Sequence, residues 1–169
     1  MNKKVLTDLC VNAMIAAIYV ALLYAFQSFA SGEVQFRIAE LLMILCLFNP
    51  KYAIGVFVGC LIGNAMANLN MLDVILGSLV TLVSGYLMFL LRKTPYIAVF
   101  IPVILNAFII AAIIVYGYAD GTKSIEAYFA AAGSVGLGQF VVIVCGGLPL
   151  YYLLKSNHYI NNLLTYKEI

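Results

Sequence analysis

Apolar residues run through this chain in blocks, each closed by a short polar or turn-forming break. The breaks are Ser31-Gly32-Glu33, Asn49-Pro50-Lys51, Asn68-Leu69-Asn70, Arg92-Lys93-Thr94-Pro95, and a longer polar stretch over 117–126. Between them the pattern predicts spans at about 9–29, 35–48, 53–70, 73–91, 96–116 and 127–154. Crossing a hydrocarbon core of about 30 Å takes roughly 20 mostly apolar residues as helix. Barrel strands would alternate polar and apolar positions, and these blocks do not. The expected fold is an all-α membrane protein: one domain over 1–169, a bundle of six transmembrane helices. The second span is shorter than a full crossing, so it is expected to be tilted or shielded by neighbours. The first run is read as a span and not as a cleavable signal. It stays apolar from Val11 to Phe26, no A-x-A site closes it, and further spans follow.

Composition strengthens that reading. The 169 residues are 65% hydrophobic and 9% charged, with a mean hydropathy of +1.07. Soluble domains carry roughly 25% charged residues, so 9% charge could not clothe a water-facing surface. Placement of the charges predicts orientation. With the N-terminal side inside, Lys3, Lys4, Lys51, Arg92, Lys93, Lys155 and Lys167 fall inside, and Arg37 and Lys123 outside. Basic residues concentrate in cytoplasmic loops, so both termini are expected in the cytoplasm of a multi-pass cell-membrane protein. Cys10, Cys46, Cys60 and Cys145 are scattered with no C-x-x-C pair, which argues against a disulfide framework or zinc site.

An ionisable group within a span costs about 2.5–3.5 kcal/mol on insertion scales and reads as functional unless it has a structural partner. Gln35, Arg37 and Glu40 fall in the outer half of the second helix. Asn64 and Asn68 share a face of the third, Asp73 and Ser78 open the fourth, and Asn106 and Gln139 lie mid-span in the fifth and sixth. The inner halves are nearly bare of such groups. This asymmetry predicts a pocket open to the outside above an apolar floor, whereas a pore needs polar lining at both ends. Plainer readings stand beside it. Arg37 and Glu40 could neutralise each other on one helix face. Asn64, Asn68, Asn106 and Gln139 could be interhelical glue, and Asp73 a helix N-cap. Phe36, Tyr116, Tyr118, Tyr128 and Phe129 sit at the same outer level, where an interfacial belt accounts for most of them.

Two stripes of small residues recur every four positions: Ala13, Ala17, Ala21 and Ala25 on the first helix, and Gly55, Gly59 and Gly63 on the third. Such seams let helix backbones approach closely. The glycines suit packing inside the bundle, and four alanines in register suit docking to another protein. No phosphate loop of the G-x-x-x-x-G-K-[ST] type is present. The stretch Gly133 to Gly138 lies within an apolar span, where close helix packing is the expected role. There is no G-x-S-x-G or H-E-x-x-H, and the single histidine, His158, sits near the C-terminal end. An enzyme, a metal or cofactor site, and a nucleic-acid partner are all disfavoured.

Four stretches carry a family resemblance: Val34-Gln-Phe-Arg-Ile-Ala-Glu40, Asn49-Pro50, Gly55-Val-Phe-Val-Gly-Cys-Leu-Ile-Gly-Asn64, and Asp73-Val-Ile-Leu-Gly-Ser78-Leu-Val-Thr81-Leu82. Together they resemble the QueT family, the substrate-binding S-components of energy-coupling factor transporters assigned to queuosine precursors. The resemblance implies capture of a 7-deazaguanine (a queuosine precursor or queuine) on the outer side. It also implies ATP-driven import through a transmembrane coupling subunit and two ATPase subunits. In that class an A-x-x-x-A pattern on the first helix meets the transmembrane partner, which maps here to Ala13, Ala17 and Ala21, with Ala25 extending the row. Glu40 is then expected to accept from the N1–H and amino group of the deazaguanine, with Asp73 second. Arg37, Gln35, Asn64, Asn68, Asn106 and Gln139 would read its remaining edges, and Phe36 or an outer tyrosine would stack on it. An S-component for another small vitamin, and a self-sufficient carrier or small channel using Glu40 and Asp73 as ion sites, are the alternatives.

Overall fold

The computed structural model describes residues 3–27, 36–67, 71–117 and 123–165. Among them every regular element is helical. The order is α1 (Lys3–Ala25), α2 (Ile38–Leu47), α3 (Tyr52–Met66), α4 (Ser78–Leu90), α5 (Pro95–Ala98), α6 (Phe100–Tyr116), α7 (Ile125–Gln139), α8 (Leu148–Ser156) and α9 (His158–Leu164). A π-helical turn, Asp73–Gly77, leads into α4, and a π-helical segment, Phe140–Gly147, joins α7 to α8. Four helical stretches are long and apolar enough to cross a bilayer: Lys3–Ala25, Asp73–Leu90, Pro95–Tyr116 and Ile125–Ser156. Two apolar helices, α2 and α3, are shorter.

The short second span has a geometric explanation other than the expected tilt. α2 is wound as a 3₁₀ helix of 10 residues. At a rise of about 2.0 Å per residue, ten residues reach roughly 20 Å, against roughly 15 Å for an α-helix. Three residues per turn also stack positions i and i+3, so Arg37, Glu40, Met43 and Cys46 form one row. Glu40, Met43 and Cys46 in that row are buried. The winding therefore stretches the segment and turns its charges inward.

The two small-residue stripes face opposite ways. α1 packs closely on α3, and the glycine seam is the contact. A Cβ on Gly59 would stand 2.6 Å from Tyr19 Cβ and 3.0 Å from the Ala16 carbonyl oxygen, and one on Gly55 would stand 2.8 Å from Asn12 Oδ1. Only glycine permits this approach. Asn12 adds a tie, its Oδ1 accepting from the Gly55 N–H at 2.8 Å. Lys51 Nζ meets Asp8 Oδ2 at 2.6 Å nearby, an exposed pair of small energetic value. Ala13, Ala17, Ala21 and Ala25 lie on the other side of α1, exposed.

The main core joins α1, α2 and α3 to the lower parts of α4 and α8, through Tyr19, Met43, Ile44, Val56 and Met88. Gly147 lets the π segment sit on Ile44, where a Cβ would come within 2.7 Å. In the Gly133–Gly138 stretch, where close packing is expected, Gly136 rests on Ala107 of α6, whereas a Cβ on Gly133 would meet nothing within 4 Å. Outward, Ile104, Phe108, Leu137 and Leu153 are half or more exposed. Such a girdle would be an aggregation liability in water and suits lipid. The fifth span starts at Pro95 and is interrupted at Val99, beneath Pro102, which has no N–H to offer the Ala98 carbonyl. α9 was not expected from the apolar pattern. It starts where Asn157 caps the N–H groups of Tyr159 and Ile160.

Candidate functional site

Around the start of α2, the C-terminal half of α3 and the π turn lies a cluster of buried polar side chains. Arg37 precedes the first turn of α2 with φ −87° and ψ 79°, an extended entry that aims its guanidinium across to α3. There Nη2 donates to Asn64 Oδ1 at 2.7 Å and reaches Cys60 Sγ at 3.6 Å. Glu40, one 3₁₀ turn below, is 1% exposed. Its Oε1 accepts from the Tyr19 hydroxyl at 2.8 Å, and its Oε2 is buried with no partner among the described residues.

The reading of Arg37 and Glu40 as a self-neutralising pair does not hold. They form no ion pair within 4 Å, and each is directed to a different helix. The guanidinium still lies within electrostatic reach of Glu40 and Asp73. Asp73 is not a helix N-cap either. Regular helix begins before it, at Met71, and its side chain is 8% exposed with Oδ1 buried and unpartnered. The π turn brings that oxygen back over Gly77, whose Cβ position stands 3.1 Å from Asp73 Oδ1, 3.4 Å from Ile110 and 3.6 Å from Asn64 Nδ2. Gly77 thus marks a point where three helices meet around a carboxylate.

Asn64, fully buried, ties the halves together. Besides accepting from Arg37, its Nδ2 lies 3.5 Å from the Asp73 carbonyl and from Cys60 Sγ. Thr81 donates to the Gly77 carbonyl at 3.1 Å and leans on Cys60. Ser78 closes on the Val74 carbonyl at 2.6 Å, a local bond that removes it from the pocket's chemistry. Ser84, one turn below Thr81, is buried with an unpartnered hydroxyl, so the polar column descends one turn deeper than expected. Beneath it Cys46, Ala53 and Met88 are fully buried and supply the apolar floor.

Asn106 and Gln139 are buried at 3% and 2% exposure on the α6–α7 side. Gln139 Oε1 has no partner among the described residues. No direct hydrogen bond joins these two to the Arg37–Asn64–Asp73 group, so they stand as a second wall of buried polarity. Gln35 and Asn68 lie outside the described residues, as does Tyr118. Phe36 is half-buried and packs on the core. Tyr116 and Phe129 are exposed and, with Tyr128, form a ring cluster on the bundle surface. Phe36 is the one expected stacking residue that turns inward.

Sequence reading missed Tyr19, Cys60 and Thr81. The signal for Tyr19 was present: a phenol buried in mid-span needs an acceptor, and Tyr19 lies on the face of α1 opposite the alanines.

Chemically, the cluster is biased towards acceptors. One guanidinium faces two carboxylates, and among the described residues the unpartnered buried atoms are Glu40 Oε2, Asp73 Oδ1, Gln139 Oε1 and the Ser84 hydroxyl. A buried polar atom left without a partner costs about 1–3 kcal/mol, more when charged. Native proteins keep few of them, and those that persist call for a reason. Among the described residues no group of three or more His, Cys, Asp or Glu is placed to hold a metal ion.

Comparison with known proteins agrees with this picture. No solved structure matches the chain. A relative from Lactococcus lactis subsp. cremoris (strain MG1363), described as "Queuosine precursor transporter QueT", is 38% identical over 101 residues, which span 57% of this chain and 59% of the relative. The chain thus aligns with under two thirds of that relative's length. The model of the QueT transporter family matches residues 9–156, which include the whole polar cluster, and the chain belongs to that family.

Proposed function

We propose that the chain is the substrate-binding component of an energy-coupling factor transporter, capturing a queuosine precursor or queuine from the outer side. The observation that carries this reading is the pair of unpartnered carboxylate oxygens, Glu40 Oε2 and Asp73 Oδ1, held beside Arg37. A 7-deazaguanine offers N1–H and an exocyclic amine on one edge, and a carboxylate accepts both. Its carbonyl needs a donor, and Arg37 or the Asn64 amide supplies one. Phe36 would cover a ring face. An aminomethyl substituent would bring a cation, which the second carboxylate would neutralise.

The same proposal includes the topology: six spans, with both termini in the cytoplasm. The lysines and arginines then concentrate inside, and Arg37 opens the pocket to the outside. It also includes the energy source. The chain carries no phosphate loop, so ATP hydrolysis falls to two partner ATPase subunits acting through a transmembrane coupling subunit. The exposed stripe Ala13, Ala17, Ala21 and Ala25 supports docking of that subunit. It is turned out of the bundle, unlike the glycine seam, and presents a flat face to a helix arriving through lipid.

Mass spectrometry of small molecules that co-purify with the detergent-solubilised protein tests the proposal. The expected result is a deazaguanine retained by the native chain and depleted in a Glu40→Gln variant. Retention of an unrelated vitamin, equal in both, would overturn it.

A further inference from the structure

The end of the bundle opposite the polar cluster holds a cavity of about 480 Å³. Its residues come from α2, α4, α8, α9 and the turn following each of α2, α4 and α9, so it forms only when the fold is complete. The floor is aromatic: Phe48 and Tyr151 pack with ring centroids 5.0 Å apart, beside Phe89. Two cations line it. The Arg92 guanidinium lies 4.1 Å over the Phe89 ring and donates to the Phe89 carbonyl at 3.3 Å. Lys155 Nζ lies 5.4 Å from the centroid of Tyr151. Among the described residues neither forms an ion pair and no carboxylate lines the cavity. Lys51, by contrast, is paired with Asp8. Asn161 on α9 adds an amide to the cavity lining.

We infer that this cavity binds the phosphate of an anionic phospholipid from the leaflet that faces the chain termini. Aromatic rings below and two cations above, one in the turn after α4 and one on α8, match an acyl–glycerol base and a phosphate. Exposed apolar side chains mark the membrane surface here. Tyr152 and Leu153 on α8 and Tyr159 and Leu163 on α9 are 49%, 67%, 78% and 69% exposed, while Leu164 turns inward to the core. α9 is therefore a short interfacial helix with outward anchors, closing the cavity on its membrane side. Basic pockets between transmembrane helices are a recurrent means of binding anionic headgroups. The inference rests on the membrane reading of the fold and not on the identity of the transported ligand.

Native mass spectrometry of the full-length chain, titrated in detergent with phosphatidylglycerol or phosphatidylcholine, tests it. About fivefold preference for the anionic lipid per basic residue is expected, falling towards parity in an Arg92→Gln/Lys155→Gln variant. It should persist in a Lys3→Gln/Lys4→Gln variant, which changes the same net charge elsewhere. Equal retention of both lipids by the native chain would overturn the site, as would equal loss in the two variants. Displacement of the lipid by millimolar inorganic phosphate would assign the cavity to free phosphate and overturn the lipid. A thermal melt of each variant distinguishes loss of the site from loss of the fold.

Discussion

Replacing Tyr19 with Phe removes one oxygen from a fully buried side chain and leaves its packing unchanged. That oxygen donates the 2.8 Å hydrogen bond to Glu40 Oε1, and the other carboxylate oxygen already has no partner. A hydrogen bond to a charged group contributes about 1.5–3 kcal/mol, so Tyr19→Phe should destabilise the unliganded protein by that amount. In a chain of 169 residues this corresponds to a fall of roughly 3–12 °C in melting temperature. The loss should depend on the charge of its acceptor. In a Glu40→Gln background the Tyr19 bond becomes neutral, so adding Tyr19→Phe should cost only about 0.5–1.5 kcal/mol. Thermal melts of the four proteins in one detergent give the coupling directly. Ligand affinity should also weaken by about tenfold, roughly 1.4 kcal/mol, since Glu40 loses the contact that orients it. Identical melting of native and Tyr19→Phe protein, or a loss indifferent to residue 40, would refute the picture of a charged Glu40 held by Tyr19.

Three further outcomes follow from the same geometry. Gly59→Ala places a methyl 2.6 Å from Tyr19 Cβ. It should cost about 1–3 kcal/mol through overpacking and show in the melt; an unchanged melt would mean the α1–α3 seam is looser than described. Ala17→Trp projects from the exposed face of α1, so calorimetric titration should show normal ligand binding while uptake by the reconstituted transporter is lost. Normal uptake would end the docking role of the stripe. Asp73→Asn keeps shape and removes charge, so it should weaken a cationic aminomethyl ligand more than its neutral cyano analogue in parallel titrations; equal effects would separate Asp73 from the substituent.

How much of this was legible in the sequence varies with the kind of force involved. The four helical stretches long enough to cross a bilayer could be read because lipid demands long apolar runs, and the breaks 49–51 and 92–95 fell where α3 and α5 begin. That Arg37, Glu40, Asn64 and Asp73 gather in one region was legible from polar residues set within apolar runs. Their partners were not. Arg37 and Glu40 are three apart, a spacing that fits a self-paired α-helical face as well as a 3₁₀ row turned inward. Only tertiary packing selected the 3₁₀ winding. The π turn at Asp73 has no sequence signature, yet it carries the carboxylate over Gly77 and away from a capping role. Both small-residue stripes were visible from their four-residue period; the glycine seam lies against α1 and the alanines are exposed. Tyr19 was overlooked among aliphatic neighbours. α9 was overlooked because a seven-residue interfacial helix leaves no long apolar run.

The central claim is that Glu40 and Asp73 hold open acceptors for the donor edge of a 7-deazaguanine. Calorimetric titration of the purified chain with 7-aminomethyl-7-deazaguanine, its cyano analogue and queuine tests it most directly. Saturable one-to-one binding of at least one of them is expected, weakened tenfold or more by Glu40→Gln, a loss of about 1.4 kcal/mol or greater. Absence of binding for all three, or affinity undiminished in Glu40→Gln and Asp73→Asn alike, would contradict the account.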